Sequence, residues 1–220
     1  MGRLVAPMER AIHAALYDPI MGLVDRAGLA ERRRRLLAEA RGRVLEVGGG
    51  TGLNLRHYRP VDVESVLVLE PDAAMRSRLL RRVVSAPVPV EVHEATIESA
   101  GLPEASFDTV VAALVLCTVD DQSVALAEMK RMLAPGGRLL FLEHVRSPGW
   151  RGQAQAAFTP VWSRTLGAGC HLDRRTLDAI RDAGFVVDRC DRRGSMAAGI
   201  AVPAKAPAPK SVPAPSKAGG

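Results

Sequence analysis

The chain has 220 residues, enough for one domain with a substantial core, and 47% hydrophobic and 25% charged residues, which is typical of globular proteins. Aromatic residues make up only 4%, which argues against an aromatic stacking platform for single-stranded nucleic acid. The net charge of +6 leaves an anionic partner open, although a solvated basic face and a basic tail are the favoured explanation.

The cysteine pattern predicts neither a disulfide framework nor a metal site. Cys117, Cys170 and Cys190 are far apart in the sequence and form no CxxC pair. This usage fits a reducing, cytoplasmic compartment. Charged residues interrupt the apolar stretch near the N-terminus, so no signal peptide is expected, and no apolar run reaches the ~20 residues that span a bilayer.

Residues 1–41 have apolar residues at helical spacing, and Pro19 is expected to break the pattern into two helices. The simplest interpretation is a helical cover or lid on the rest of the domain. An amphipathic helix that touches a membrane surface is the alternative, so peripheral membrane contact stays open.

From residue 43 the pattern alternates between short apolar runs and helical segments, which predicts a parallel sheet with helices on both faces. A helix is expected to follow the first strand from about Leu53. The predicted strands are 43–47, 66–69, 88–92, 109–116 and 138–142, and the other helices are 72–84 and 122–133.

The C-terminal part is predicted to close the sheet. Residues 145–172 lack a regular pattern, a helix over 174–183 has Asp173 as its cap, and 185–190 with 196–202 form an antiparallel pair. We therefore predict a seven-stranded, mostly parallel α/β sheet over 42–202. Residues 203–220, rich in proline, alanine and lysine, are expected to be a disordered tail.

The segment VLEVGGGTG, residues 44–52, runs from a strand into a glycine loop, as in nucleotide-binding proteins. The dinucleotide fingerprint fails because its sixth position is Leu53 or Leu55, and no Gly-Lys-Ser/Thr of a P-loop follows. What remains is an E-x-G-x-G-x-G spacing formed by Glu46, Gly48, Gly50 and Gly52.

This spacing resembles motif I of class I S-adenosylmethionine-dependent methyltransferases. The resemblance implies a Rossmann-like fold and S-adenosylmethionine as cofactor, with the bare backbone of the glycines against it and Glu46 organising the loop. The cofactor-binding residues expected from this loop are Glu46, Gly48, Gly49, Gly50, Gly52 and Asn54.

Later segments match the same family in the same order. Glu70, followed by Pro71, ends the second strand about 20 residues past the loop, where a carboxylate accepts the ribose hydroxyls. The segment SFDTVVAALVLCTVDD places Leu114 near the methyl donor, and LAPGGRLLFLEHV matches the fifth strand. Thr96 and Ile97 are expected near the adenine, and Tyr17 in the lid.

The C-terminal third contains FLEHV, then Pro160 and Trp162, then GCHLDRRT (residues 169–176) and AGF (residues 183–185). This series resembles a branch of the family whose members methylate thiols or are of the quinone or phospholipid type. We therefore expect a small apolar or amphipathic methyl acceptor. His144, at the carboxyl end of the fifth strand, and His171, in the irregular insert of residues 145–172, are the candidate catalytic residues. No nucleic acid or metal partner is expected. A nucleic-acid methyltransferase and a catalytically silent cofactor-binding module remain as alternatives.

Overall fold

The computed structural model describes residues 7–164 and 169–204, with the backbone alone in residues 7–13. The described helices are α1 (Pro7–Val24), α2 (Ala30–Leu37), α3 (Ala73–Val83), α4 (Gln122–Met132), α5 (Gly149–Arg164) and α6 (Thr176–Asp182). The strands are β1 (Gly42–Val47), β2 (Val63–Leu69), β3 (Val90–His93), β4 (Phe107–Ala113), β5 (Leu133–His144), β6 (Phe185–Arg193) and β7 (Met196–Pro203).

The strands form one seven-stranded sheet in the order β3-β2-β1-β4-β5-β7-β6. Strands β1 to β5 pair in parallel, and β7 is antiparallel to both β5 and β6. This confirms the predicted fold class. The strand order reverses between β1 and β4, and a crevice for a ligand opens at such a point, beyond the carboxyl ends of the strands.

Helices cover both faces of the sheet, since the central strands are apolar on both sides. On one face, α4 packs Met129 against Phe141 of β5, and both side chains are fully buried. On the other face, Leu37 of α2 belongs to the same buried cluster as Leu140 of β5. None of the described helices combines the length and hydropathy needed to cross a bilayer.

The break in the N-terminal helical region lies at Gly28, so the prediction of a break at Pro19 is wrong. Helix α1 runs through Pro19, whose ring removes a single N–H from the helix. Gly28 has a φ of 110°, which side-chain-bearing residues rarely adopt, and it interrupts the helix in a π-turn, Asp25–Leu29, before α2 begins.

The helix predicted from about Leu53 is also absent: the chain there forms only a short 3-10 turn, Leu55–His57. Pro60 lies just beyond this turn and disfavours a helix before it. The Tyr58 hydroxyl is bonded to Glu46, which holds the segment against the central strand β1. Strand β4 ends at Ala113, earlier than predicted, because Leu114 has a left-handed φ of 60°.

The C-terminal part differs from the prediction in two places. Residues 149–164, which have no clear apolar period, form helix α5, and the structure thus corrects the expectation of an irregular insert. Helix α6 begins at Thr176 with Arg175 in the capping position, so Asp173 does not cap it. The predicted tail falls almost wholly outside the described residues, and its disorder stays a prediction.

Gly199 is a packing requirement of the β5–β7 pair, and its replacement should destabilise the fold. A Cβ there would lie 2.2 Å from the Arg189 carbonyl oxygen and 2.6 Å from the Phe141 ring. Gly199→Ala should therefore lower the free energy of unfolding by about 1–3 kcal/mol in urea titrations. Gly22→Ala in α1 meets nothing within 4 Å and should raise it by about 0.5–1 kcal/mol. Equal effects of the two substitutions would contradict this account.

Candidate active site

The glycine loop that follows β1 is anchored to the end of β2. The backbone N–H groups of Gly48 and Gly49 both donate to the Leu69 carbonyl, at 2.9 and 3.1 Å. Gly48, Gly50 and Gly52 have φ values of 66°, 56° and 84°, in the left-handed region where glycine is favoured. The loop therefore turns sharply at the crevice between β1 and β4.

Only one glycine of this loop faces open space. A Cβ at Gly50 would meet nothing within 4 Å, whereas a Cβ at each of the other three would collide with a side chain of the protein. Gly50 is thus the bare backbone that a ligand can approach. The colliding side chains are Val115 for Gly48, Val68 for Gly49 and Leu79 for Gly52.

Glu70, directly after β2, points into this loop. Its Oε2 accepts from the Gly50 N–H at 2.7 Å and its Oε1 from the Asp72 N–H at 2.9 Å. Burial raises the pKa of Glu70, and these two N–H groups act in the opposite direction. An ionised carboxylate accepts up to four hydrogen bonds, so Glu70 can accept further donors such as hydroxyls. Pro71, which follows it, is exposed, and its carbonyl accepts from Arg76 at 3.2 Å.

Glu46 supports the loop from beneath. Its carboxylate accepts from the Asn54 amide at 2.8 Å and from the Tyr58 hydroxyl at 2.7 Å, while Arg33 donates to the Asn54 oxygen at 2.7 Å. Burial raises the pKa of Glu46, and the Tyr58 and Asn54 hydrogen bonds lower it. Asn54 therefore uses both ends of its amide inside the protein, and the structure places it as a support of the loop.

Helix α1 is docked on the glycine loop. The Thr51 hydroxyl donates to Asp18 at 2.6 Å, and Arg82 of α3 bonds the other Asp18 oxygen at 2.9 Å. The adjacent Tyr17 is partly buried, and burial raises its pKa to about 12; Arg33 lowers it, and Cys117 and Glu70 are among the groups that raise it further. Tyr17 packs against the buried cluster that contains Val68 of β2 and Leu79 of α3.

The residues predicted to contact adenine lie beyond β3. Ile97 is buried in the core and Thr96 is exposed, with its hydroxyl 3.1 Å from that of Ser99. Their contact with a cofactor stays a prediction.

The loop after β4 is held by Glu143, a residue that the sequence interpretation left without a defined role. Its fully buried carboxylate accepts from the N–H groups of Val115, Leu116 and Cys117 at 2.9, 2.8 and 3.3 Å. Burial raises the pKa of Glu143 to about 7, against the effect of these N–H groups. The sequence feature that could have indicated this role is an acid directly after the apolar run of residues 139–142.

Two cysteines and a histidine meet just beyond the ends of β4 and β5. The ligating atoms of Cys117, His144 and Cys170 all lie within 4.8 Å of one another, and Cys170 Sγ is 3.4 Å from His144 Nδ1. Hydrogen bonding to Cys117 and then to His144 lowers the pKa of Cys170 to about 5, although burial opposes it. Burial lowers the pKa of His144, but Cys170 and Glu143 outweigh it and the net shift is upward. Sequence spacing missed this cluster because its members come from three separate segments.

The structure brings His144 into this cluster but not the His171 side chain, which is exposed. The main chain of His171 has a structural contact instead, since its N–H donates to the Cys117 carbonyl at 2.8 Å. This bond fixes the segment before α6 against the loop after β4. Leu114 begins that loop, on the crevice side of β4.

A cavity of about 500 Å³ begins one residue past His144, between the end of β5 and helices α5 and α6. Val145 and Thr176 line it near the cluster. Its charge is mainly basic, from Arg146, Arg175, Arg181 and Arg192.

Comparison with known proteins gives consistent relatives. A family model described as a methyltransferase domain matches residues 45–141. The chain is 31% identical over 180 residues to human thiol S-methyltransferase TMT1B, covering 75% of this chain and 72% of that protein. It is 36% identical over 202 residues to the ubiquinone/menaquinone biosynthesis C-methyltransferase UbiE of Pseudomonas putida, covering 78% and 77%.

Solved structures agree on the fold. A SAM-dependent methyltransferase of Thermotoga maritima superposes with a TM-score of 0.63 at 19% identity, over 89% of this chain and 99% of the other. At that identity the likeness concerns the fold alone. The match to rat TMT1B, at 36% identity, spans 59% of that protein's length.

The Asp18 contacts should control how firmly α1 covers the loop. Asp18→Ala removes the acceptor for both Thr51 and Arg82, so amide hydrogen exchange in residues 14–24 should become about tenfold faster or more. Mass-spectrometric exchange would measure it. Glu31→Ala in α2 removes only exposed ion pairs with Arg34 and Arg35 and should leave this segment unchanged. The same acceleration in both variants would argue against docking through Asp18.

Proposed function

Because the chain belongs to the class I S-adenosylmethionine-dependent methyltransferases, we propose that it transfers the methyl group to a small apolar or amphipathic acceptor, with a thiol as the preferred class. The thiol and quinone methyltransferases among the relatives support this range of acceptors. The observation that carries the thiol preference is that each of the three buried carboxylates at the site accepts hydrogen bonds that position a loop or a side chain.

The residues at the crevice fit S-adenosylmethionine, which supplies an electrophilic methyl group on a sulfonium when bound. Gly50 offers open backbone, and Glu70 retains acceptor capacity beside it. Asp18 holds α1 against the loop, and in the proposed reaction this helix would exclude water from the reacting groups. The protein's part in the reaction is to align the acceptor and keep the site dry.

The choice among acceptors depends on which of them needs a base. A carbon or phenol acceptor requires a group that removes its proton. Glu46, Glu70 and Glu143 are each engaged in hydrogen bonds to loop backbone or to side chains. The remaining candidate base, His144, has its Nδ1 in contact with the Cys170 thiol. A thiol has a pKa of about 8.5, against about 10 for a phenol, and therefore ionises near neutral pH without help. This site consequently suits a thiol best.

A lipid headgroup is the second candidate, because a basic cavity adjoins the site. Four arginines line that cavity, and arginine binds phosphate well. The outer face of α1 would deliver such an acceptor: Leu16, Ile20 and Leu23 recur at helical spacing and are 48%, 43% and 65% exposed. We include peripheral membrane contact through α1 in the proposal.

Cofactor binding should depend on the open backbone at residue 50. Gly50→Val fills the space in front of the loop and should weaken binding of S-adenosylhomocysteine by about 100-fold or more in calorimetry. Gly136→Val is the matched control, because Gly136 also has a positive φ and open space but lies in the N-terminal part of β5, at the opposite end of the strand from the site. Wild-type affinity in Gly50→Val would remove the loop from the cofactor site.

The acceptor class is tested by mass spectrometry of products from labelled cofactor with an alkyl thiol, an aryl thiol, a hydroquinone, a phospholipid and an RNA oligonucleotide. We expect methylated thiols. With each thiol, kcat/KM should rise about tenfold per pH unit below the thiol's own pKa, so the aryl thiol should reach its plateau at lower pH. Turnover of the hydroquinone or the lipid alone would overturn the thiol preference, and methylated RNA would overturn the small-acceptor class.

A further inference from the structure

The Cys117–His144–Cys170 cluster has a ligand set that none of the steps above uses. Cys117 follows β4, His144 ends β5 and Cys170 lies between α5 and α6. Two thiols and an imidazole with mutual separations of at most 4.8 Å are therefore held together by the fold rather than by a local motif.

The separations suit tetrahedral coordination. With metal–sulfur bonds of about 2.3 Å and metal–nitrogen bonds of about 2.0 Å, tetrahedral angles place sulfur and nitrogen about 3.5 Å apart and two sulfurs about 3.8 Å apart. The observed distance between Cys170 Sγ and His144 Nδ1 is 3.4 Å. Small side-chain rotations would bring all three atoms around one ion.

We propose that Cys117, His144 and Cys170 bind one divalent cation of the zinc class. Two thiolates and one imidazole form a ligand set that selects soft, tetrahedral ions over magnesium or calcium. This inference departs from the expectation that the chain has no metal site, which rested on sequence spacing alone.

The surroundings of the cluster are built to hold its members in place. The Cys117 N–H is bonded to Glu143, and the His144 carbonyl accepts from the Thr176 hydroxyl at 3.1 Å. These contacts fix the main chain that carries two of the three ligating side chains. Of the described His, Cys, Asp and Glu residues, these three alone form such a group, so a fourth coordination position remains open.

An ion here would join three parts of the site. It would fix the α5–α6 connection to the ends of β4 and β5, next to the loop that Glu143 holds. The open position would then face an exogenous ligand, and thiolates are strong ligands for this class of ion.

Cobalt(II) titration of the reduced full-length chain tests the proposal without cofactor or acceptor, so its result is independent of the proposed function. We expect uptake of one equivalent, with the thiolate charge-transfer absorption and the intense visible bands of tetrahedral cobalt, and displacement of cobalt by zinc. Cys170→Ser and His144→Gln should each weaken binding by more than the 10–100-fold that is typical of losing an outer contact. Cys190→Ser, at an exposed thiol in β6, should bind as the wild type does.

Thermal melting keeps the test valid if one of the variants folds poorly. Zinc should raise the Tm of the wild type and of Cys190→Ser, since an ion that binds only the folded state stabilises it. The proposal is overturned if the reduced wild type takes up no cobalt, if its spectrum lacks thiolate bands, or if folded Cys170→Ser and His144→Gln bind as tightly as the wild type.

Discussion

Backbone N–H groups at the carboxyl edge of the sheet need acceptors, and buried carboxylates supply them. Glu70, after β2, holds the glycine loop, and Glu143, in β5, holds the loop after β4. Glu46 of β1 reaches the same region through Asn54 and Tyr58. These acids lie on strands that surround the crevice, so the shape of the site depends on their remaining in place. Each carboxylate is buried, and the hydrogen bonds that it accepts offset the free-energy cost of removing it from water.

This constraint also shapes the chemistry. Carboxylates that hold loops are poor candidates for moving protons, because their oxygens already have partners. The site is therefore one that positions and dehydrates its reactants, which suits displacement at a methyl group. Helix α1, bonded to the glycine loop through Asp18, would contribute to this dehydration under the proposed function.

The sheet and the loop could be predicted from the sequence because both have local signals. Continuous apolar runs mark the central strands, and the spacing of Glu46, Gly48 and Gly50 marks the loop. Glu70 could be placed at the end of β2 because it directly follows the apolar run of residues 66–69. In these places local propensity and the final fold agree.

The remaining features depend on contacts between distant segments. Tyr58 reaches back to Glu46, and no pattern near Leu53 reveals that this contact replaces a helix with a short turn. Cys170 meets His144 across 26 residues, on a segment that shows no regular period. Such pairings arise from topology, which sequence spacing does not encode.

The glycine loop has an implication for comparing relatives. At three of its four glycines a Cβ would collide with the protein's own side chains, whereas at residue 50 only the left-handed φ of 56° disfavours a side chain. A relative that had lost its cofactor would still be selected to keep glycine at positions 48, 49 and 52 in order to fold. Replacement of the glycine at position 50 would then indicate a lost activity, even where the other glycines of the motif were unchanged.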